Sequence, residues 1–256
     1  MYNDWLTIGP LTVHGYGVMI AIGILAAFFV AERNARKHGL DADQVDNIIL
    51  MCLLVGFIFA KITYILTNWN DFLLDPWTYL GADGWVVYGG IIGGILGAWI
   101  WCRIKKLPFY DYLNLLFPVV AMAQGFGRIG CFFAGCCYGK QTNGAFGVVF
   151  PEGSLAPSGV KLIPTQLISS AGDFILFYLL YNNYNKGEHP DDTAALYLIF
   201  YSCGRFLIEF LRGDTIRGFI GPLSTSQFIA IFVFAAGLIL LAVNRKNRKT
   251  VKENVQ

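Results

Sequence analysis

Residues 46–66 read DNIILMCLLVGFIFAKITYIL, a largely apolar run whose only charges are Asp46 at its start and a single cation, Lys61, near its end. A helix needs about 20 predominantly apolar residues to cross the hydrocarbon core of a bilayer, so this stretch reads as a membrane span. Six more stretches read the same way: 15–32, 85–102, 112–135, 165–184, 193–212 and 224–243. Of the seven, 112–135 and 193–212 are expected to be the weakest, because they carry the most polar residues. The first is long and ends in charge without a small-residue cleavage site, so it reads as a span and not as a cleaved signal. Only 14% of the residues are charged, against about 25% in a soluble domain. The expectation is an all-α integral membrane protein of seven transmembrane helices, forming one membrane-embedded domain over 1–256.

Orientation follows from the cations between the spans. Arg33, Arg36, Lys37, Arg103, Lys105, Lys106, Lys186, Arg245, Lys246, Arg248, Lys249 and Lys252 lie on one side. The other side holds only Lys140, Lys161 and Arg217. Twelve against three places the C-terminus in the cytoplasm and the N-terminus outside, which an odd number of spans also requires. The outer loops are then the longer ones. Residues 67–84 carry Trp69 and Trp77 and suit an arm at the interface, and the glycine-rich 136–164 reads as an irregular head.

Four cations remain: Lys61, Arg128, Arg205 and Arg212, each inside or at the edge of a span. A charge at the bilayer centre costs about 2.5–3.5 kcal/mol on insertion scales, so such residues mark a pathway or a site. Tyr201, Arg205, Glu209 and Arg212 are spaced to share one helical face. A buried ion pair that fixes helix packing is one reading of them. Two arginines against one glutamate nevertheless leave a cationic excess, and that suits a phosphate, which a guanidinium grips with a planar fork of donors. Arg128 sits deep in its span within Gly125-Phe-Gly-Arg-Ile-Gly130, too deep for easy snorkelling, and calls for a ligand or a buried partner. Lys61 is shallow enough to snorkel.

Cys131, Cys136 and Cys137 leave three readings open: a redox pair, a metal site, or small apolar filler. Without a CxxC spacing or an evident fourth ligand, filler or a structural disulfide is preferred. Cys52 and Cys102 read as core residues.

Together these features resemble the prolipoprotein diacylglyceryl transferases of bacterial inner membranes. The resemblance rests on Ile8-Gly9-Pro10-x3-His14-x-Tyr16-Gly17, on Gly127-Arg128-Ile129-Gly130 with Gly135 and Gly139, and on Tyr201-x3-Arg205-x3-Glu209-x2-Arg212. Pro164-Thr165-Gln166-Leu167 and Ser224-x2-Gln227 support it. The resemblance implies a seven-helix, multi-pass protein of the bacterial cytoplasmic membrane. Its implied reaction moves an sn-1,2-diacylglyceryl group from phosphatidylglycerol to the lipobox cysteine of a prelipoprotein signal peptide, with glycerol phosphate leaving. The residues it marks as catalytic are Arg128, Arg205 and Tyr88. Those it marks as substrate-binding are Arg128, Tyr16, Lys61, Tyr201, Glu209, Arg212 and Gly139. The partners are those substrates and membrane lipid; no nucleic acid, cofactor or metal is expected. Tyr88 stands where the family commonly has a histidine cast as the base. Cys131, Ala134 and Cys136 stand where it has asparagines and a glutamate, and Lys61 where an arginine is usual. Two other classes compete: an anionic-solute transporter, which predicts anion flux, and a membrane thiol oxidoreductase, which predicts dependence on the cysteines.

Overall fold

The computed structural model describes residues 3–9, 11–81, 84–214 and 218–255; Pro10 of the amino-terminal signature and Arg217 of the charge count lie outside them. The chain opens with an antiparallel hairpin, β1 (Asp4–Ile8) with β2 (Leu11–His14), and runs into α1 (Gly15–Lys37) and α2 (Ala42–Thr67). Two short helices follow, α3 (Trp69–Leu74) and α4 (Pro76–Leu80), then α5 (Val87–Lys105) and α6 (Phe109–Ala134). Strands β3 (Val148–Val149) and β4 (Lys161–Leu162) pair before α7 (Thr165–Lys186) and α8 (Thr193–Ile208). A 3-10 turn (Glu209–Leu211) ends α8, and β5 (Phe219–Ile220) pairs with β6 (Leu223–Ser224) before α9 (Thr225–Val255). Two compact units result, Met1–Val30 with Leu113–Gln256, and Ala31–Tyr112.

Among the described residues, six helical segments are long and apolar enough to cross a membrane: Gly15–Lys37, Ala42–Thr67, Val87–Lys105, Phe109–Ala134, Pro190–Leu211 and Thr225–Thr250. The expected weak spans, 112–135 and 193–212, are both among them. The exception is 165–184, which forms the 22-residue α7 but is diluted by Gln166, Ser169, Ser170, Asp173, Asn182 and Asn183. Span 193–212 also needs correction. The α-helix stops at Ile208, and Arg212 is extended at φ −66°, ψ 138°. Arg212 is therefore reached through a 3-10 turn and not along an unbroken α-helix, and the charge of Glu209 still acts on it. The 136–164 segment is largely irregular apart from the short β3–β4 ribbon, whereas the arm after α2 carries the helices α3 and α4.

Helix ends follow from local chemistry. Leu40 N–H returns to the Ala35 carbonyl (2.9 Å) past Gly39, and Leu107 N–H to the Cys102 carbonyl (2.8 Å) past Lys106. Both Gly39 and Lys106 have positive φ, so α1 and α5 close with the six-to-one bond of a Schellman ending. Pro108 bars continuation of α5. At the start of α2, Asp41 accepts from the Asp43 and Gln44 N–H groups. Asp75 caps α4 through the Thr78 hydroxyl (2.5 Å) and N–H, and these bonds hold its carboxyl below the usual carboxylate range. Ser224 and Gln227 form a reciprocal capping box at the head of α9, each side chain accepting the other's N–H (3.2 and 3.1 Å). That accounts for the Ser224-x2-Gln227 motif.

Within Ala31–Tyr112, α2 packs on a glycine face of α5. A Cβ at Gly93 would stand 2.5 Å from Phe59 Cβ and 2.6 Å from the Val55 carbonyl, whereas at Gly94 the nearest atom is 3.6 Å away. Small residues of this kind let membrane helices approach closely. Lys61 does not reach outward. Its ammonium donates to the Gly81 carbonyl (2.7 Å) and lies over the Tyr64 and Trp85 rings, pinning the 67–84 arm to α2.

Gly93→Ala is expected to destabilise the protein in detergent by about 1–3 kcal/mol, the usual cost of overpacking, while Gly94→Ala leaves the thermal midpoint unchanged. Equal midpoints for the two variants contradict this packing.

Candidate functional site

The site is built in the unit that holds α6 to α9. Arg205, on α8, is 17% exposed and pairs with the almost fully buried Glu209 one turn on (2.6 Å). A second amino group donates to Ser226 Oγ (2.8 Å) at the head of α9. One guanidinium is thus held from two directions. The i, i+4 spacing in the sequence is what brings Arg205 and Glu209 together.

Arg128, on α6, is placed differently. Among the described residues it has no hydrogen-bond or salt-bridge partner; Tyr201 and Asp173 lie within electrostatic reach. Arg128, Arg205, Tyr201 and Asp173 line one cavity of about 420 Å³, walled by α7 and α8 with apolar residues such as Ile175, Leu179, Phe200 and Leu207. Two guanidinium groups thus share an apolar recess, one fixed and one uncommitted. Tyr201 is positioned by a ring stack on Tyr197 (5.3 Å), which itself stacks on Phe117 and donates to Gln124.

Asp173 was not among the residues the sequence singled out. It is buried on α7, and its charge interacts with both Arg128 and Arg205. A lone carboxylate inside a stretch of membrane-spanning length is the available signal.

Arg212 is not part of that lining. It grips Asp214 with two donors (2.7 and 2.5 Å), and Glu209 adds to the field around it. Gly139 bridges to Arg212 and donates to the Ile163 carbonyl (2.9 Å). A Cβ at Gly139 would come within 2.8 Å of Ile163 and Thr165, so only glycine lets these strands meet. The Pro164-Thr165-Gln166 motif supports the same loop: Thr165 Oγ1 donates to the Cys137 carbonyl and Gln166 Nε2 to the Cys136 carbonyl, each at 2.7 Å. Tyr16 opens α1 against Gly130, where an added Cβ would be 3.1 Å from its ring, and its N–H is held by Asn3 (3.1 Å). Tyr88 and Lys61 belong to the other unit; Tyr88 is 38% exposed at the start of α5. All six cysteines are free, so of the two preferred readings, filler or a structural disulfide, the disulfide is not formed.

The model of the family described as "Prolipoprotein diacylglyceryl transferase" matches residues 4–243. The chain belongs to the prolipoprotein diacylglyceryl transferase family. Among relatives it is 43% identical over 249 residues to phosphatidylglycerol–prolipoprotein diacylglyceryl transferase 2 of Clostridium perfringens, covering 95% of this chain and 96% of that protein. It is 41% identical over 236 residues to the phosphatidylglycerol–prolipoprotein diacylglyceryl transferase of Clostridium tetani, covering 92% and 94%. The corresponding protein of Clostridioides difficile is 30% identical over 251 residues, covering 96% and 97%. In this family member Arg128 and Arg205 line one cavity.

Removing one partner of a buried ion pair typically costs 3–5 kcal/mol, whereas replacing both with apolar residues is often neutral. Glu209→Ala is therefore expected to lower stability in detergent by about 3–5 kcal/mol, and Arg205→Met with Glu209→Leu to recover most of it. A thermal double-mutant cycle measures both, and additive losses contradict the pairing.

Proposed function

We propose that the chain is a phosphatidylglycerol–prolipoprotein diacylglyceryl transferase. It takes the sn-1,2-diacylglyceryl group from phosphatidylglycerol and joins it to the lipobox cysteine sulfur of a prelipoprotein, releasing glycerol phosphate. The observation that carries this reading is the pairing of an uncommitted Arg128 with a braced Arg205 on one apolar cavity. An apolar wall suits acyl chains. Two guanidinium groups suit a phosphate that gains charge as the carbon–oxygen bond breaks, since preorganised donors favour the transition state where charge develops.

In this reading Arg128 binds the headgroup phosphate, and its lack of a protein partner leaves its donors available. Arg205 stabilises the leaving phosphate. Glu209 and Ser226 hold it in place, so it reorganises little as charge builds. Tyr201 and Tyr16 line the approach to Arg128, and Tyr88 orients the acceptor or delivers a proton. Lys61 orders the 67–84 arm, and Arg212 with Gly139 keeps the outer loops in register. Asp173 balances the two cations when no phosphate is bound.

The placement in the membrane is part of the proposal. Helix α7 is the seventh span, its polar residues turned to the cavity and to α6, as Ser170 bonding to the Gly125 carbonyl (2.9 Å) suggests. With seven spans the twelve-to-three cation bias puts the N-terminus outside and the C-terminus in the cytoplasm of a bacterial inner membrane, where lipobox precursors emerge.

Mass measurement of a lipobox peptide incubated with the purified protein and phosphatidylglycerol tests the reading. One diacylglyceryl adduct on the cysteine is expected. Arg128→Ala and Arg205→Ala each lower the rate at least about 100-fold, the scale for losing one preorganised donor. Arg205→Lys does not restore it, because a point charge cannot serve Glu209, Ser226 and phosphate together. No adduct, where another family member gives one, overturns the assignment.

A further inference from the structure

The sulfurs of Cys131, Cys136 and Cys137 all lie within 4.8 Å of one another, each half-buried. The backbone explains how a C-x4-C-C spacing converges. Helix α6 ends at Gly135, whose φ is +74°, with Cys136 N–H bonded to the Cys131 carbonyl (3.1 Å) and Gly135 N–H to the Phe132 carbonyl (3.3 Å). This is the full Schellman pair of bonds, which folds the residue after the glycine back over the one five positions earlier. Cys137 then adopts φ +60°, unusual for a residue with a side chain, and brings in the third thiol. Thr165 and Gln166 clamp both cysteine carbonyls from α7.

Filler is a poor account of such thiols, because their surroundings are not apolar. The charge of Arg128 reaches Cys131 and Cys137, that of Arg212 reaches Cys137, and the Tyr16 phenol lies within reach of all three. Tetrahedral or trigonal ligation at a zinc–sulfur distance of 2.3 Å places sulfurs roughly 3.8–4.0 Å apart, so small side-chain rotations suffice. Three thiolates around a divalent ion leave one net negative charge, which two neighbouring arginines offset. Three protein ligands also leave a fourth position open, the mark of a catalytic rather than a structural zinc site.

We propose that Cys131, Cys136 and Cys137 bind a soft divalent metal ion of the zinc class, and that its open position takes the acceptor thiol. The second half of this rests on the transferase reading above. It also supplies what the site otherwise lacks, since a coordinating thiol is deprotonated outright and no histidine stands at position 88. On coordination the acceptor thiol releases its proton to solvent. Its sulfur attacks the glycerol carbon that bears the phosphate oxygen, and the carbon–oxygen bond breaks. The electron pair leaves with glycerol phosphate, held by Arg128 and Arg205. The thioether product is a weak neutral ligand and gives way to water.

The test uses the full-length protein, reduced, stripped of metal and held in detergent, with cadmium as the spectroscopic probe and zinc as its competitor. One ion per chain with a thiolate-to-metal absorption band is expected. Cys131→Ser, Cys136→Ser and Cys137→Ser each weaken binding at least tenfold, and Cys102→Ser and Cys203→Ser do not. A lipobox peptide raises the band by about one third as a fourth thiolate joins, and its serine counterpart does not. No bound ion, binding that survives the three serine variants, or thiols that close into a disulfide on handling in air overturns the site. If metal-free protein lipidates peptide at the full rate, the role of the open position falls and the transferase reading stands. If the ion binds as described but no peptide is ever lipidated, the metal site stands and the transferase reading falls.

Discussion

The constraint on which the site depends is the cost of keeping guanidinium groups in an apolar setting. Arg205 meets it with Glu209 and Ser226, a pair of fixed partners contributed by its own helix and by the head of α9. Arg128 meets it by proximity to Tyr201, Cys131, Cys137 and Asp173, with no hydrogen-bond or salt-bridge partner among the described residues. The difference between them is the chemical content of the cavity. On the proposed reading the braced cation stabilises developing charge and the uncommitted one binds the phosphate. The apolar walls that make both charges costly also make any phosphate contact strong, because little water competes for it.

Much of the rest serves to hold these two side chains. The capping box of Ser224 and Gln227 sets where α9 begins, and so where Ser226 stands. Asn114 on α6 accepts the Ala194 N–H (2.8 Å) and anchors the start of α8. At the other end of α9, Arg248 holds Asp192 with two donors (2.9 and 2.8 Å). Between those ends, the Phe117–Tyr197–Tyr201 stack carries the position of α6 to the cavity wall.

Local and helical features were the legible part of the sequence. Apolar runs located the spans, and the four-residue step from Arg205 to Glu209 foretold their contact. What escaped was tertiary or broke helical period. Asp173 meets its arginines only through the packing of α7, α6 and α8, so no spacing pointed to it. Arg212 follows Glu209 through the 3-10 turn at Glu209–Leu211 and not through a further turn of α8, a break in period that the spacing does not show. Of the polar residues that dilute α7, Ser169 and Asp173 line the cavity and Ser170 bonds to α6, so part of what lowers the hydropathy is what builds the site. The cysteine cluster depends on a helix ending at Gly135 and on a left-handed Cys137, neither visible as a ligand spacing.

The central claim is that the recess between Arg128 and Arg205 holds the phosphate of an anionic lipid. Native mass spectrometry of the protein released from detergent, with phosphatidylglycerol supplied, measures this directly. The account predicts one retained phosphatidylglycerol per chain in the wild type and its loss in Arg128→Gln, with the helical content of the protein unchanged. Equal retention by the wild type and Arg128→Gln would contradict it.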